Sequence, residues 1–299
     1  MHAFKKLFVL TMMIWTCMLT FLSNIHAAVI DKIQEGNTSS SKGHAKWVAN
    51  PERYATTSDI KPNFDLQVPI LEYHQADYLP GNSLGLRSGQ FLREAQWLSD
   101  HGYHTINFGQ LYAAMYHMYQ LPKKPIIITF DDGYESVYRN IFPILKKFNQ
   151  QVTIFMISNY VRLHGKWPML TKDELRVMES SGLVDVESHS ATHPDLGTAS
   201  EREAYREIVQ SSRDLEKITG HPIRFFCYPS GRYNAATIEM LKENGYFLAT
   251  VQGHEPASLR QGPYTLHRMT IYQTTSLENF AQYLLHGGFK TLPNSHVFG

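Results

Sequence analysis

Eight short β-rich runs, most of them separated by amphipathic helical stretches, constrain this chain more than any other feature. The runs cover residues 67–73, 103–107, 125–130, 151–157, 183–187, 223–228, 246–251 and 266–272. Helical spacing puts Phe91, Leu92, Ala95 and Leu98 on one face of residues 88–101, with Ser88 as the expected cap. It does the same for Val137, Ile141, Ile144, Leu145 and Phe148 in 134–148, and for Ala204, Ile208, Leu215 and Ile218 in 200–219. A further helix, 235–244, ends at Gly245. Run 125–130 (PIIITF) is apolar almost throughout, as strands buried on both faces are. Strand–helix alternation over roughly 230 residues predicts a mostly parallel sheet, and that length favours a closed, distorted (β/α) barrel. A doubly wound open sheet is the alternative. Its nucleotide-binding form needs a Gly-x-Gly-x-x-Gly turn, and none follows a strand here.

Composition narrows the partners. Apolar residues make up 43% of the 299, enough for a large core. Lys+Arg 28 against Asp+Glu 27, with no long basic block, argues against a nucleic-acid partner. Two cysteines, Cys17 and Cys227, exclude a disulfide framework and a four-cysteine zinc cluster. The beginning of the chain has its own pattern. Two lysines, an uncharged apolar run over 7–22 and small residues over 23–28 give the layout of a secretory signal peptide, residues 1–27. An uncleaved anchor is the alternative, although sixteen apolar residues are short for a membrane span. Residues 28–61, polar and without period, read as a spacer, and 62–299 as one domain. The expectation is a secreted or cell-envelope monomer that touches the membrane only transiently, through its signal segment.

In a parallel barrel, chemistry gathers at the carboxyl ends of the strands. After run 125–130 come Asp131, Asp132 and Gly133. After run 183–187 come His189 and His193, and after run 223–228 come Pro229, Ser230 and Gly231. Adjacent aspartates on an extended strand point to opposite faces, so one can bind a metal while the other faces a water. The plain alternative is that Asp132-Gly133 forms a turn and caps the next helix. His189 and His193 stand four apart, so one helical turn puts both imidazoles on one side. The plain alternative is two surface histidines among fifteen. One carboxylate and two imidazoles make a three-ligand divalent site with room for water.

Three motifs carry a resemblance. They are TFDDG at 129–133, SHSATHPDL at 188–196 and FFCYPSG at 225–231. With them the chain, over roughly 68–272, resembles the polysaccharide deacetylases, carbohydrate esterases with a nodulation-deacetylase homology domain. The resemblance implies a deacetylase-type distorted barrel that removes N-acetyl groups from an acetylated glycan polymer. It also implies one divalent metal ion, with zinc expected from the ligand types and cobalt, nickel, manganese or iron also fitting. By motif position Asp132, His189 and His193 are the metal ligands and Asp131 the general base. The backbone N–H of Ser230 would hold the oxyanion, with Tyr228, Pro229 and Ser230 lining the substrate.

The third motif departs from the family pattern. Cys227 stands where relatives carry an arginine that orients the base, and Ser230 where they carry tyrosine. The YPxG form is similar to the branch with exopolysaccharide deacetylases, and Asp131 is expected to find another cation, with Arg232 and Arg268 the candidates, or none. His267, in Leu266-His267-Arg268, approximates the histidine acid of the family, with His74 a competitor for the pocket. Tyr134, Trp167 and Tyr228 could stack on sugar rings, core packing being the simpler role. Gly81–Gly85 spells Gly-x-Ser-x-Gly, but it lacks the strand before and helix after that a nucleophile elbow needs. A non-catalytic glycan-binding envelope protein is the remaining alternative function.

Overall fold

The computed structural model of the chain describes residues 61–87 and 89–286. The expected signal segment, all but the last residue of the expected spacer, Ser88 and the tail from 287 lie outside them. Eight strands run in the order the sequence sets: β1 (Ile70–Tyr73), β2 (His104–Thr105), β3 (Pro125–Asp132), β4 (Val152–Met156), β5 (Val184–Ser188), β6 (Phe225–Cys227), β7 (Leu248–Gly253) and β8 (Leu266–Thr270). All pair in parallel, and seven of them close a ring, β1-β8-β7-β6-β5-β4-β3 and back to β1. Strand β2 stands outside that ring. It pairs with Pro125 and Ile126 at the lower end of β3, while β1 pairs with Ile127 to Phe130 on the same edge above it. The expected closed barrel is therefore present, and the open sheet is not.

Alternation sorts the strand residues into two layers. Ile126, Ile128 and Phe130 of β3 and Val152, Ile154 and Met156 of β4 face outward into a core shared with the helices. Ile70, Ile127, Phe155, Phe225, Cys227, Leu248 and Leu266 face inward and fill the lower barrel. The surrounding helices are α1 (Gln90–Asp100), α2 (Phe108–Met115), α3 (Val137–Ile141 continuing as Phe142–Phe148), α4 (Lys172–Ser180), α5 (Glu201–Tyr205, Arg206–Gln210 and Ser211–Thr219), α6 (Ala235–Glu243) and α7 (Leu277–His286). Helix α2 plugs the lower end: its Phe108 ring lies 5.4 Å from Phe155 and 5.5 Å from Phe225. Helices α2, α4 and α7 are absent from the sequence reading. Reciprocal capping boxes, Asn107 with Gln110 and Thr171 with Glu174, start the first two. Among the described residues, no helix is long and apolar enough to cross a membrane.

The ring is uneven. Strands β5 and β6 share a single register pair, Ser188 with Phe226. Below it side-chain carboxylates take the place of the backbone ladder. Glu187 Oε2 accepts from the amides of Arg224 and Phe225, each at 2.9 Å, and Glu179 Oε1 accepts from Val186 N at 2.7 Å.

Candidate active site

Strand β3 leaves its extended path at Asp132, whose φ of 71° is left-handed and rare for a residue with a Cβ. This kink removes the alternation that would send Asp131 and Asp132 to opposite faces, and both carboxylates reach the barrel mouth. Gly133 follows at φ 89°, where a Cβ would collide with the Met156 thioether, so glycine is required by both space and backbone.

His189 leaves β5 on the inward face, and Ser190 and His193, both left-handed at φ 67° and 63°, fold the chain back after it. His193 N donates to Ser190 Oγ at 2.9 Å, which closes the loop on itself. As a result His189 Nε2 stands 3.6 Å and His193 Nε2 3.7 Å from the same Asp132 Oδ1. His189 Nδ1 lies 2.8 Å from the Cys227 carbonyl, which can only accept. The proton is therefore on Nδ1, and the Nε2 lone pair faces the cluster. Burial lowers the His189 pKa, favouring the neutral ring that a cation needs. This donor set fits a divalent cation: an anionic oxygen, two imidazole nitrogens and a fixed tautomer, all within 4.8 Å of one another. Two further clusters at this mouth, Asp131–His189–Cys227 and Glu72–His74–Asp131, share the same span. Both depend on Asp131, whose two oxygens already accept from a guanidinium.

That guanidinium belongs to Arg268 of β8. Its Nη1 donates to Asp131 Oδ1 at 2.6 Å and its Nη2 to Asp131 Oδ2 at 2.7 Å. Burial alone would raise the Asp131 pKa, but the Arg268 charge and hydrogen bonds outweigh it and hold the carboxylate well below the usual range. Of the two candidate arginines, Arg268 is the one that fills the slot left by Cys227. Arg232 points into solvent, 3.8 Å from Asp195. Cys227 Sγ lies 3.0 Å from Arg268 Nη2, and burial pushes its thiol pKa well up, so it packs as a small protonated side chain.

A second carboxylate, absent from the sequence reading, holds Arg268 from the other side. Glu72 of β1 is fully buried, with Oε2 at 3.2 Å from Arg268 Nη2. His74 follows on the same inward face, with Nε2 3.9 Å from Glu72 Oε1 and 4.0 Å from Asp131 Oδ2. The signal for Glu72 was available: it shares the period of two with His74.

Two expectations need correction, both through strand alternation. His267 sits beside Arg268 and therefore faces out of the barrel, with Nδ1 3.2 Å from Glu255 Oε1. It does not join the cluster. Tyr228 likewise follows the inward Cys227, and its ring packs outward against Phe226 at 5.4 Å and Tyr233 at 5.1 Å. It is a core residue, not a substrate contact. Pro229 is buried and starts the short turn Pro229–Gly231, in which exposed Ser230 adopts φ 51°. Of the other aromatics, Trp167 is exposed and Tyr134 half-buried beside Asp132, its hydroxyl pKa raised first by burial and then by that charge. Gly81–Gly85 lies in the loop between β1 and α1, with no strand leading into it.

Known proteins resemble the chain in both sequence and fold. The sequence model of one family, described as polysaccharide deacetylase, matches residues 119–249. That span holds Asp131, Asp132, His189 and His193 but stops short of β1 and β8. YxkH of Bacillus subtilis, a protein named for the same family, is 30% identical over 229 residues, 77% of this chain and 80% of the relative. Poly-beta-1,6-N-acetyl-D-glucosamine N-deacetylase of Escherichia coli K12 is 27% identical over 68% of this chain, which spans 36% of that enzyme. Among solved structures, the Streptococcus pyogenes deacetylase PplD in complex with acetate superposes with a TM-score of 0.69 at 28% identity, over 75% of this chain and 99% of that one. The chain belongs to the polysaccharide deacetylase family and is a deacetylase-type hydrolase.

Proposed function

We propose that this protein removes N-acetyl groups from an N-acetylglucosamine-containing polysaccharide (peptidoglycan, exopolysaccharide or chitin-like), with Asp132, His189 and His193 holding one divalent cation. The observation that carries this reading is the meeting of those three donors beside the Arg268-clamped carboxylate of Asp131. A divalent cation supplies Lewis acidity, lowering the pKa of water and polarising an amide carbonyl. Zinc suits two imidazoles and a carboxylate.

The remaining steps belong to side chains of the chain itself. Asp131, ionised through the neutral range, accepts the proton of the water that attacks the acetyl carbon. Arg268 keeps that carboxylate aimed and charged. The backbone N–H of Ser230, at the exposed tip of its turn, steadies the tetrahedral oxyanion. His74 takes the role first expected of His267. Its Nε2 faces the same mouth and gives a proton to the sugar nitrogen as acetate departs. The product is a free amine, cationic near neutral pH. The YPSG run at 228–231 and the E. coli relative make β-1,6-linked poly-N-acetylglucosamine the first polymer to try. The pattern of residues 1–28 supports export to the envelope or beyond.

Acetate release from β-1,6- and β-1,4-linked N-acetylglucosamine oligomers tests the reading. Zinc-loaded wild type should release acetate, chelation should stop it, and Asp131→Asn should lower the rate by about 10²–10⁴-fold. Equal release by Asp131→Asn removes Asp131 from the chemistry.

A further inference from the structure

The loop that presents both histidines is held from behind by a carboxylate on helix α5. Glu207 is 3% exposed and accepts three hydrogen bonds from one short segment. Its Oε2 takes the amides of Ala191 at 3.0 Å and Thr192 at 2.7 Å, and its Oε1 takes the Thr192 hydroxyl at 2.8 Å. One turn further along α5, Ser211 Oγ donates to the Ser190 carbonyl at 2.9 Å and lies 2.8 Å from Ser188 Oγ. The helix is widened where this happens. Arg206–Gln210 forms a single π-turn, a distortion that tends to occur where a helix serves a site. The Ile208 carbonyl in that turn is satisfied by the Tyr246 hydroxyl at 3.2 Å.

The held segment is strained at both ends, and outside α5 the amides of Ser158 and Asn159 also hold it, donating to the Ser190 and Ala191 carbonyls at 3.1 Å each. Ala191 and Thr192 lie between Ser190 and His193, whose left-handed backbones are strained for residues with a Cβ. Two backbone amides and a hydroxyl all present hydrogens to one point. A carboxylate, which only accepts, suits three such donors; an amide would turn its own NH₂ on some of them.

We infer that Glu207 is a positioning residue that sets cation affinity: it fixes the Ala191-Thr192 backbone and thereby the separation of His189 and His193. The inference rests on the proposed ligand set and touches neither the cation nor the substrate. Partners of this kind, one step behind the ligands, typically change metal affinity by about 10–100-fold when altered.

Titration of the purified full chain with cobalt(II) against a competing chelator reads this directly, with the visible cobalt spectrum reporting ligand geometry. Glu207→Gln should bind about 10–100-fold more weakly than wild type with an altered spectrum, and Glu207→Ala more weakly still. Thr192→Val, which removes only the hydroxyl bond, should fall between wild type and Glu207→Gln, and it serves if the alanine variant does not fold. The melting temperature of the cation-free protein separates roles. A residue that merely docks α5 would lower it and leave cobalt affinity and spectrum unchanged, and that result overturns the inference. Failure of the wild type itself to bind cobalt overturns the ligand set instead, and this inference with it.

Discussion

Two charge clusters at opposite ends of the barrel differ in the cation they use. At the mouth, Asp131 and Glu72 share the guanidinium of Arg268. At the opposite end of β5, Glu179 and Asp185 face the imidazole of His221, at 3.1 Å and 4.0 Å, with Glu187 contributing its charge from the barrel interior. A guanidinium keeps its charge at every ordinary pH; an imidazole does not. The Arg268–Asp131 pair is therefore locked in charge, whereas the lower cluster follows the solution. Burial would depress the His221 pKa, yet the Glu179 hydrogen bond and the charges of Glu179, Asp185 and Glu187 push it up to about 10. Burial first, then the Glu179 charge, pushes Asp185 up to about 7. Asp131, the proposed base, is held ionised by the guanidinium, and the cluster that titrates lies at the other end of β5.

Breaking the mouth should cost most. Arg268→Gln leaves two buried carboxylates without their cation, and urea unfolding at pH 7 should show a loss of about 3–5 kcal/mol, with acetate release lost as well. A loss under about 1 kcal/mol would mean that the pairing is not what stabilises this end. The lower cluster should give a smaller effect that depends on pH. A folded pKa raised above the unfolded value means stability that is complete below about 6.5 and is lost as pH climbs through about 10. Wild type should therefore lose stability between pH 7 and 10. His221→Gln should lose the imidazole's share of that slope, keeping only what Asp185 and Glu187 contribute, and be weaker at pH 7 by about 1–3 kcal/mol, with acetate release close to wild type. A parallel pH dependence in both proteins would assign the slope to other groups. The smallest effect belongs to His267→Gln, since that ring lies outside the barrel. Its stability should stay within about 0.5 kcal/mol and its acetate release within about twofold of wild type. A tenfold fall in release would return His267 to the site.

The proposed metal donors were legible because TFDDG and HSATH compress the site into two short runs, each at the end of a strand the periodicity already marked. What the sequence obscured was direction. In Leu266-His267-Arg268 a single step decides which side chain enters the barrel, and the tempting imidazole is the one that leaves it. Phe226-Cys227-Tyr228 misleads for the same reason. The Arg268–Asp131–Glu72 arrangement joins three strands far apart in the chain, and only ring closure brings β8 and β3 to opposite sides of β1. The left-handed Asp132, which lets both aspartates face the mouth, breaks the alternation that the sequence reading had relied on. The π-turn that seats Glu207 has no residue signature of its own.

Strand β3 lends one edge to two neighbours in tandem, β2 below and β1 above. Its eight residues are thus a fixed length of track. Deleting a residue from the lower half would uncouple β2 and leave the upper join intact. A deletion in the upper half would rotate the aspartates away from Arg268 and open the ring at the same stroke. Tolerance to indels along this strand should therefore be lopsided, with the costlier half being the one that ends in the site.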